Sequence, residues 1–240
     1  MTGEWPGAER RNPPPSDRHY LMLAPLGEAI RRAVAGRLAG RSELDVLDVG
    51  CGVKPYLPVL APYARSHRGL DAVRGPYVDD IGAAEALPYD DASFDVLLCT
   101  QALEHLDEPW TAVGEFHRVL RPGGLVLAST HGVFLYHPDP PGSDRDYWRW
   151  THSGLRRLFN DQATWNDIDI LPNGEALACV GYVLAQYLGE AVDGRRGGAA
   201  VMSAFNRTIA RLDSRFPPRA RTPRPGSLSA NYLVVAARSA

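Results

Sequence analysis

The chain has 240 residues, 45% of them apolar, 22% charged and 9% aromatic; this composition excludes disordered, collagenous and coiled-coil proteins and suffices to bury one full core. A formal charge of −2 speaks against a nucleic-acid partner, since neutralising phosphates takes a basic surplus. No apolar run approaches the ~20 residues of a membrane span, and the opening MTGEWPGAERRNPPPSDRH has no apolar signal core, so neither a membrane nor a secretory route is expected.

Residues 1–18 carry four prolines and no periodicity, and read as a mobile arm before a single domain over 19–240. Leu26, Ile30, Val34 and Leu38 recur every fourth residue, which predicts a helix with one buried stripe. LDVLDVG (44–50) reads as a short buried strand stopped by glycine, and PYLPVLAPYA (55–64) as a short helix. HRGLDAV (67–73) and YVDDI (77–81) are weak strands, whereas FDVLLCT (94–100) is a strong one. WTAVGEFHRVL (110–120) has a helical apolar stripe, RPGG (121–124) reads as its stop signal, and GLVLAST (124–130) is the next strand. This alternation predicts an α/β fold with a doubly wound, mostly parallel sheet.

The second half changes character. HGVFLYHPDPPGSDRDYWRW (131–150) is a long loop rich in aromatics, and loops of that length usually serve a function. A capped helix (151–161) and a strand (168–171) follow. Two helices are then expected, about 174–191 with Leu177, Val180, Leu184 and Leu188, and 199–213 with Val201, Phe205, Ile209 and Leu212. A Pro/Arg linker (215–227) leads into a last strand at 231–239. Cys51, Cys99 and Cys179 have neither metal-ligand nor disulfide spacing, so a reducing cytoplasm and no metal centre are expected.

Chemistry concentrates at VLDVGCGVKPY (46–56). A strand runs into a Gly50-Cys51-Gly52 turn and then a helix, where absent Cβ atoms let backbone amides approach a ligand. Asp71 ends the next strand, where an acid can accept both ribose hydroxyls of an adenosine ligand. The third glycine of the dinucleotide fingerprint is replaced by Pro55, and with Lys54 the only lysine there is no Tyr-x-x-x-Lys pair; both argue against a nicotinamide oxidoreductase.

Taken together, VLDVGCG, LDAV, AEALPYDDASFDVLLCTQALEHL and EFHRVLRPGGLVLAST, over about 44–130, resemble the class I S-adenosylmethionine-dependent methyltransferases. The nearest likeness is the small-molecule methyltransferase-domain branch, in which the HPDPPGSDRDYWRWTHSGLRRLF stretch also finds parallels. The resemblance implies a Rossmann-like seven-stranded sheet with an antiparallel last strand, here with an added helical pair before it. It implies that Asp48, Gly50, Cys51 and Gly52 hold the methionine end of S-adenosylmethionine and Asp71 the ribose. It also implies that Ala84 meets the adenine through its backbone, and that Thr100 and Gln101 floor the pocket. Two positions depart from the family pattern. Lys54 stands where a third glycine is usual, and there a cation can pair with the methionine carboxylate. Ala83 stands where an aspartate usually bonds the adenine amine, a role open to Asp79 or Asp80.

Glu104 and His105 follow the fourth strand and His131 ends the fifth, both at the carboxyl edge of the sheet where ligands bind. His105 and His131 therefore read as either structural histidines or site residues. With Tyr147 they are the candidates for a base that takes a proton from a hydroxyl or amine acceptor. The 1–18 arm and the 131–150 loop are expected to form a lid over that small-molecule acceptor and the 174–213 helices to cap it, in natural-product or sugar biosynthesis, with Tyr182, Tyr187 and Phe205 as aromatic anchors. A homodimer or a partner subunit is compatible with the added helices. The competing reading, prompted by Lys54 and Ala83, is a protein of this fold that catalyses another reaction or serves as a binding subunit.

Overall fold

The computed structural model describes residues 5–215 and 228–239. Most of the expected Pro/Arg linker lies outside the described residues.

Chain order is α1 (Ala8–Arg11), α2 (Tyr20–Arg37), β1 (Leu44–Val49), α3 (Leu57–Leu60), β2 (Ala64–Asp71), β3 (Asp80–Ile81), β4 (Phe94–Thr100), α4 (Pro109–Val119), β5 (Leu120–His131), α5 (His152–Gln162), β6 (Trp165–Pro172), α6 (Ala176–Val192), α7 (Gly198–Arg215) and β7 (Asn231–Arg238). The seven strands form one sheet in the order β3-β2-β1-β4-β5-β7-β6. β1 runs parallel to both β2 and β4, and β7 is antiparallel to β5 and β6. The winding reverses between β1 and β4, so a crevice opens outside their carboxyl ends.

Strand periodicity decides which side each residue serves. Val46, Val96, Leu98, Leu125 and Leu127 pack with Leu26 and Ile30 of α2 and Leu60 of α3. Their neighbours Leu47, Leu97, Cys99, Val126 and Ala128 turn to the other face, against Phe116 of α4 and Leu155 and Phe159 of α5. Alternation with both faces apolar is the mark of a sheet covered by helices on each side. The α2 stripe at Leu26, Ile30, Val34 and Leu38 is buried as the spacing predicts.

Three elements differ from their sequence reading. RPGG does not end before the strand. β5 begins at Leu120, and the irregularity falls inside its pairing with β4, where Phe94 faces Leu120 but Val96 faces Leu125. Gly123, at φ 75°, supplies the left-handed residue of that bulge. On α6, Leu177, Val180 and Leu184 are exposed, and the buried face is Ala178, Cys179, Gly181, Tyr182 and Ala185. Small residues win that face because α7 comes so close: a Cβ on Gly181 would lie 2.5 Å from Ile209.

The arm is the third difference: residues 5–18 are packed. Arg11 is buried and donates to the carbonyls of Trp5, Pro6 and Pro55. Asn206 of α7 donates to the Pro15 and Asp17 carbonyls, and Gln186 of α6 to that of Arg18. A proline-rich stretch lacks periodicity because its backbone groups are satisfied by side chains from elsewhere, not by a local ladder.

Candidate functional site

The loop after β1 is held open by glycine geometry. Gly50 and Gly52 adopt φ 66° and 48°, conformations that L side chains avoid. A Cβ on Gly50 would meet Ala102 at 2.8 Å, while at Gly52 the space is empty. The Gly50 and Cys51 amides donate to the Leu70 carbonyl. Asp71, at the end of β2, accepts from the Gly52 and Val73 amides at 3.0 and 2.9 Å, tying the glycine loop to the next one. Cys51 is a buried spacer, and burial pushes its thiol up to about 12, so it is no nucleophile.

Asp48 lies within β1 and is fully buried. Neither carboxylate oxygen has a hydrogen-bond partner among the described residues, and the nearest group is His67 Nε2 at 3.5 Å. Burial raises its pKa above the ordinary carboxylate range, an effect His67 only partly offsets. A buried carboxylate without a hydrogen-bond partner is costly to the free protein.

Lys54 does not face the crevice as expected. Its ammonium donates to Asp79 and to the His67 carbonyl, and the residue is buried. Gly69 makes that route possible, since a Cβ there would lie 2.3 Å from the Lys54 side chain. The backbone at Lys54 keeps φ 51°, the turn a glycine would make. Asp79 also accepts from the Gly69 amide through the same Oδ2, and Asp80 accepts from Arg68 and Tyr89.

At β4, Thr100 is buried, and Gln101 adopts φ 54° with its amide on the Ser129 carbonyl. Gln101 Oε1 accepts from Arg10 of the N-terminal segment at 2.8 Å. Trp5 donates to the Val53 and Lys54 carbonyls and packs edge-on against Tyr77 at 5.2 Å. Residues 5–11 thus lie against the glycine loop and Gln101. Ala84 is buried in the core beside Leu70, with only its backbone available to a ligand.

A second cluster sits beyond the ends of β4 and β5. A single tight turn, Leu103–His105, presents Glu104 and His105, and the last residue of β5 is His131. Glu104 is fully buried; Thr130 donates to its Oε2 at 2.7 Å, and His131 Nε2 lies 2.9 Å from its Oε1. Burial opposes its ionisation, but the His131 and Thr130 contacts outweigh burial and hold its pKa well below the usual carboxylate value. His137, from the long loop, completes the group, with its ring 4.8 Å from those of both His105 and His131. His105 Nδ1 sits 2.7 Å from the Arg145 carbonyl and His137 Nδ1 3.2 Å from that of Leu135. A carbonyl only accepts, so both Nδ1 atoms carry a proton, and in the neutral ring that leaves the lone pair on Nε2.

Tyr147 is not brought into this cluster. Its side chain is exposed and lies beside Asp107, while its amide donates to the Glu104 carbonyl. The adjacent Trp148 donates to the Leu106 carbonyl and stacks on Trp150, covering the end of the sheet. Arg149 straps the loop by binding Asp146 and the carbonyls of Phe134 and Leu135. The sequence reading had stopped at Glu104 as a neighbour of His105 and passed over His137; the clustering of His and acid near one sheet edge was the available signal.

Residues 47–128 match the family model described as a methyltransferase domain. The chain is 39% identical over 121 residues to a probable S-adenosylmethionine-dependent methyltransferase of Mycolicibacterium smegmatis, covering 46% of each chain. It is 33% identical over 143 residues to the 27-O-demethylrifamycin SV methyltransferase of Amycolatopsis mediterranei, covering 51% of this chain and 52% of that one. The chain thus spans about half the length of these curated relatives. Among solved structures it superposes on the 4+2 cyclase SpnF with a TM-score of 0.56 at 19% identity, covering 89% of this chain and 82% of that one, a likeness of fold. The sheet order, the glycine turn and the motifs between β1 and β5 are those of a methyltransferase domain on the class I fold, matched over residues 47–128.

Proposed function

We propose that this protein transfers a methyl group from S-adenosylmethionine to a small-molecule acceptor held between the β4 and β5 edges and the 131–150 loop. The residues present fit the cofactor. Asp48 offers a buried carboxylate with no hydrogen-bond partner and only His67 beside it, Gly52 leaves open space beside the loop, and Asp71 stands at the end of β2 against the Gly52 amide. Asp48, Gly50, Cys51 and Gly52 would hold the methionine end, Asp71 the ribose, and Thr100, Gln101 and the Ala84 backbone the remainder. When bound, S-adenosylmethionine supplies an activated methyl carbon whose bond to sulfur breaks as the acceptor bond forms, leaving S-adenosylhomocysteine.

The observation that carries the proposal is the link between the two clusters. Gly50 packs against Ala102, and the Ala102 carbonyl accepts from the His105 amide, so one short turn joins the glycine loop to the histidines. His105 Nε2 has a lone pair and would take the proton of a hydroxyl or amine acceptor. His131, Phe134 and Tyr182 form a stack with centroids 3.7 and 5.3 Å apart, and the Tyr182 hydroxyl has no partner among the described residues. Stacked aromatics with a few polar groups favour an apolar, ring-containing acceptor. Likeness to a rifamycin methyltransferase supports a natural-product acceptor.

The test is mass spectrometry of small molecules released from purified, denatured protein, followed by calorimetry with S-adenosylhomocysteine. Binding of the cofactor product and its formation in the presence of an acceptor are expected. Absence of binding would favour a subunit of this fold without methyl transfer. Binding without turnover on any acceptor would favour another reaction, as the cyclase neighbour's name illustrates for the fold.

A further inference from the structure

Glu104, His131 and His137 come from three separate segments, and their ligand atoms lie within 4.8 Å of one another. Two histidines and one carboxylate are the donor set that first-row divalent ions favour. His131 Nε2 and Glu104 Oε1 are 2.9 Å apart, near the ~3.0 Å that two ligand atoms at right angles on one ion keep at bonds of about 2.0–2.2 Å. Close as they are, Glu104 Oε1 accepts no aligned hydrogen bond.

Two of the three donors, Glu104 and His137, are also oriented from behind. Thr130 holds Glu104 through the other carboxylate oxygen. The Leu135 carbonyl fixes the His137 proton on Nδ1 and leaves Nε2 bare, with Asp146 Oδ1 3.6 Å from that Nδ1. Asp146 itself is occupied by Arg149, so it stays a supporting group. Support of this kind is what metal-binding histidines and carboxylates require.

From this geometry we infer a binding site for one divalent first-row transition ion, of the zinc or cobalt class, held by Glu104, His131 and His137. The inference rests on the reading of this pocket as the acceptor site. The three side chains leave coordination positions open, and an acceptor bound there through an oxygen would be acidified beside His105.

The experiment uses the full chain, free of affinity tags and dialysed against chelator. Titration with Co(II) is followed by its visible absorption, and Zn(II) is then added as competitor. One saturating band at about one equivalent, displaced by Zn(II), is expected. His137→Ala, on a half-exposed loop, should weaken Co(II) binding by about 100-fold or more, beyond the loss typical of a supporting group. His117→Ala, at a histidine on α4 away from the cluster, should leave the titration unchanged. Both variants should bind S-adenosylhomocysteine as the parent does, so a failed metal site leaves the methyltransferase reading intact. No band, or a band that survives His137→Ala, would overturn the inference and leave Glu104 and His131 as an ion pair alone.

Discussion

At Asp71, two backbone amides and the end of β2 converge on one carboxylate. Asp71→Ala should weaken S-adenosylmethionine binding by roughly 1.5–3 kcal/mol, the range for a charged hydrogen-bond partner. Calorimetry on the folded variant checks this, and unchanged affinity would remove Asp71 from the site. Asp48 behaves differently. Its folded pKa is raised by burial, so at neutral pH its ionised form destabilises the free protein. Asp48→Asn should therefore raise the thermal midpoint of the free protein by about 2–4 °C, the shift that ~1 kcal/mol produces at this size. The same variant should bind the cofactor less well. A lowered midpoint would show that Asp48 has a stabilising partner in solution. Replacing His105 with Ala should slow turnover at saturating cofactor, whereas Tyr147→Phe should leave it near the parent rate, because that hydroxyl lies beside Asp107 outside the cluster.

Among the elements, the N-terminal segment is the one whose role changes most. Trp5, Arg10 and Arg11 fasten residues 5–11 to the glycine loop and Gln101. Trp5→Ala removes two hydrogen bonds and the Tyr77 contact. It should speed tryptic cleavage at Arg10 and Arg11, and added S-adenosylhomocysteine should slow that cleavage in the parent more than in the variant. Identical digestion patterns would mean the segment does not cover the cofactor. β2 offers a sharper test of packing. Gly69→Ala would drive a methyl into the Lys54 side chain and Cys51. Overpacking of that kind costs about 1–3 kcal/mol, to be read as a lowered urea midpoint with an unchanged slope.

For the whole molecule, several carboxylates support the fold through ion pairs. Asp79 and Asp80 are held below the ordinary range: burial opposes the Lys54 and Gly69 contacts at Asp79 and is outweighed, and Arg68 leads at Asp80. Arg118 does the same for Glu115. A depressed folded pKa means each contribution is complete above the unfolded value of ~4 and fades as pH falls through the folded value. Urea midpoints should therefore decline as pH falls below about 5; a flat profile down to pH ~3 would show these pairs to be screened by solvent. No helix among the described residues is long and apolar enough to cross a membrane.

Sequence alone determined the parts governed by local pattern. Period-2 apolar runs at β1, β4 and β5 gave strands buried on both faces, and the spacing of Leu26, Ile30, Val34 and Leu38 gave α2 and its buried side. The turn at Gly50 and Gly52 and its place between Asp48 and Asp71 followed from strand, tight turn and acid in close succession. What lies opposite a residue is not local, and only the tertiary structure decided it. Lys54 turns to Asp79 across Gly69, α6 buries small residues because α7 lies against it, and Trp5 reaches carbonyls 48 and 49 positions away. The same holds for the histidines. His105, His131 and His137 stand on a turn, a strand end and a loop, and they meet because the parallel order β1-β4-β5 brings those carboxyl ends to one edge. Periodicity fixes which way a side chain faces; chain topology, acting over long loops, fixes what it meets there.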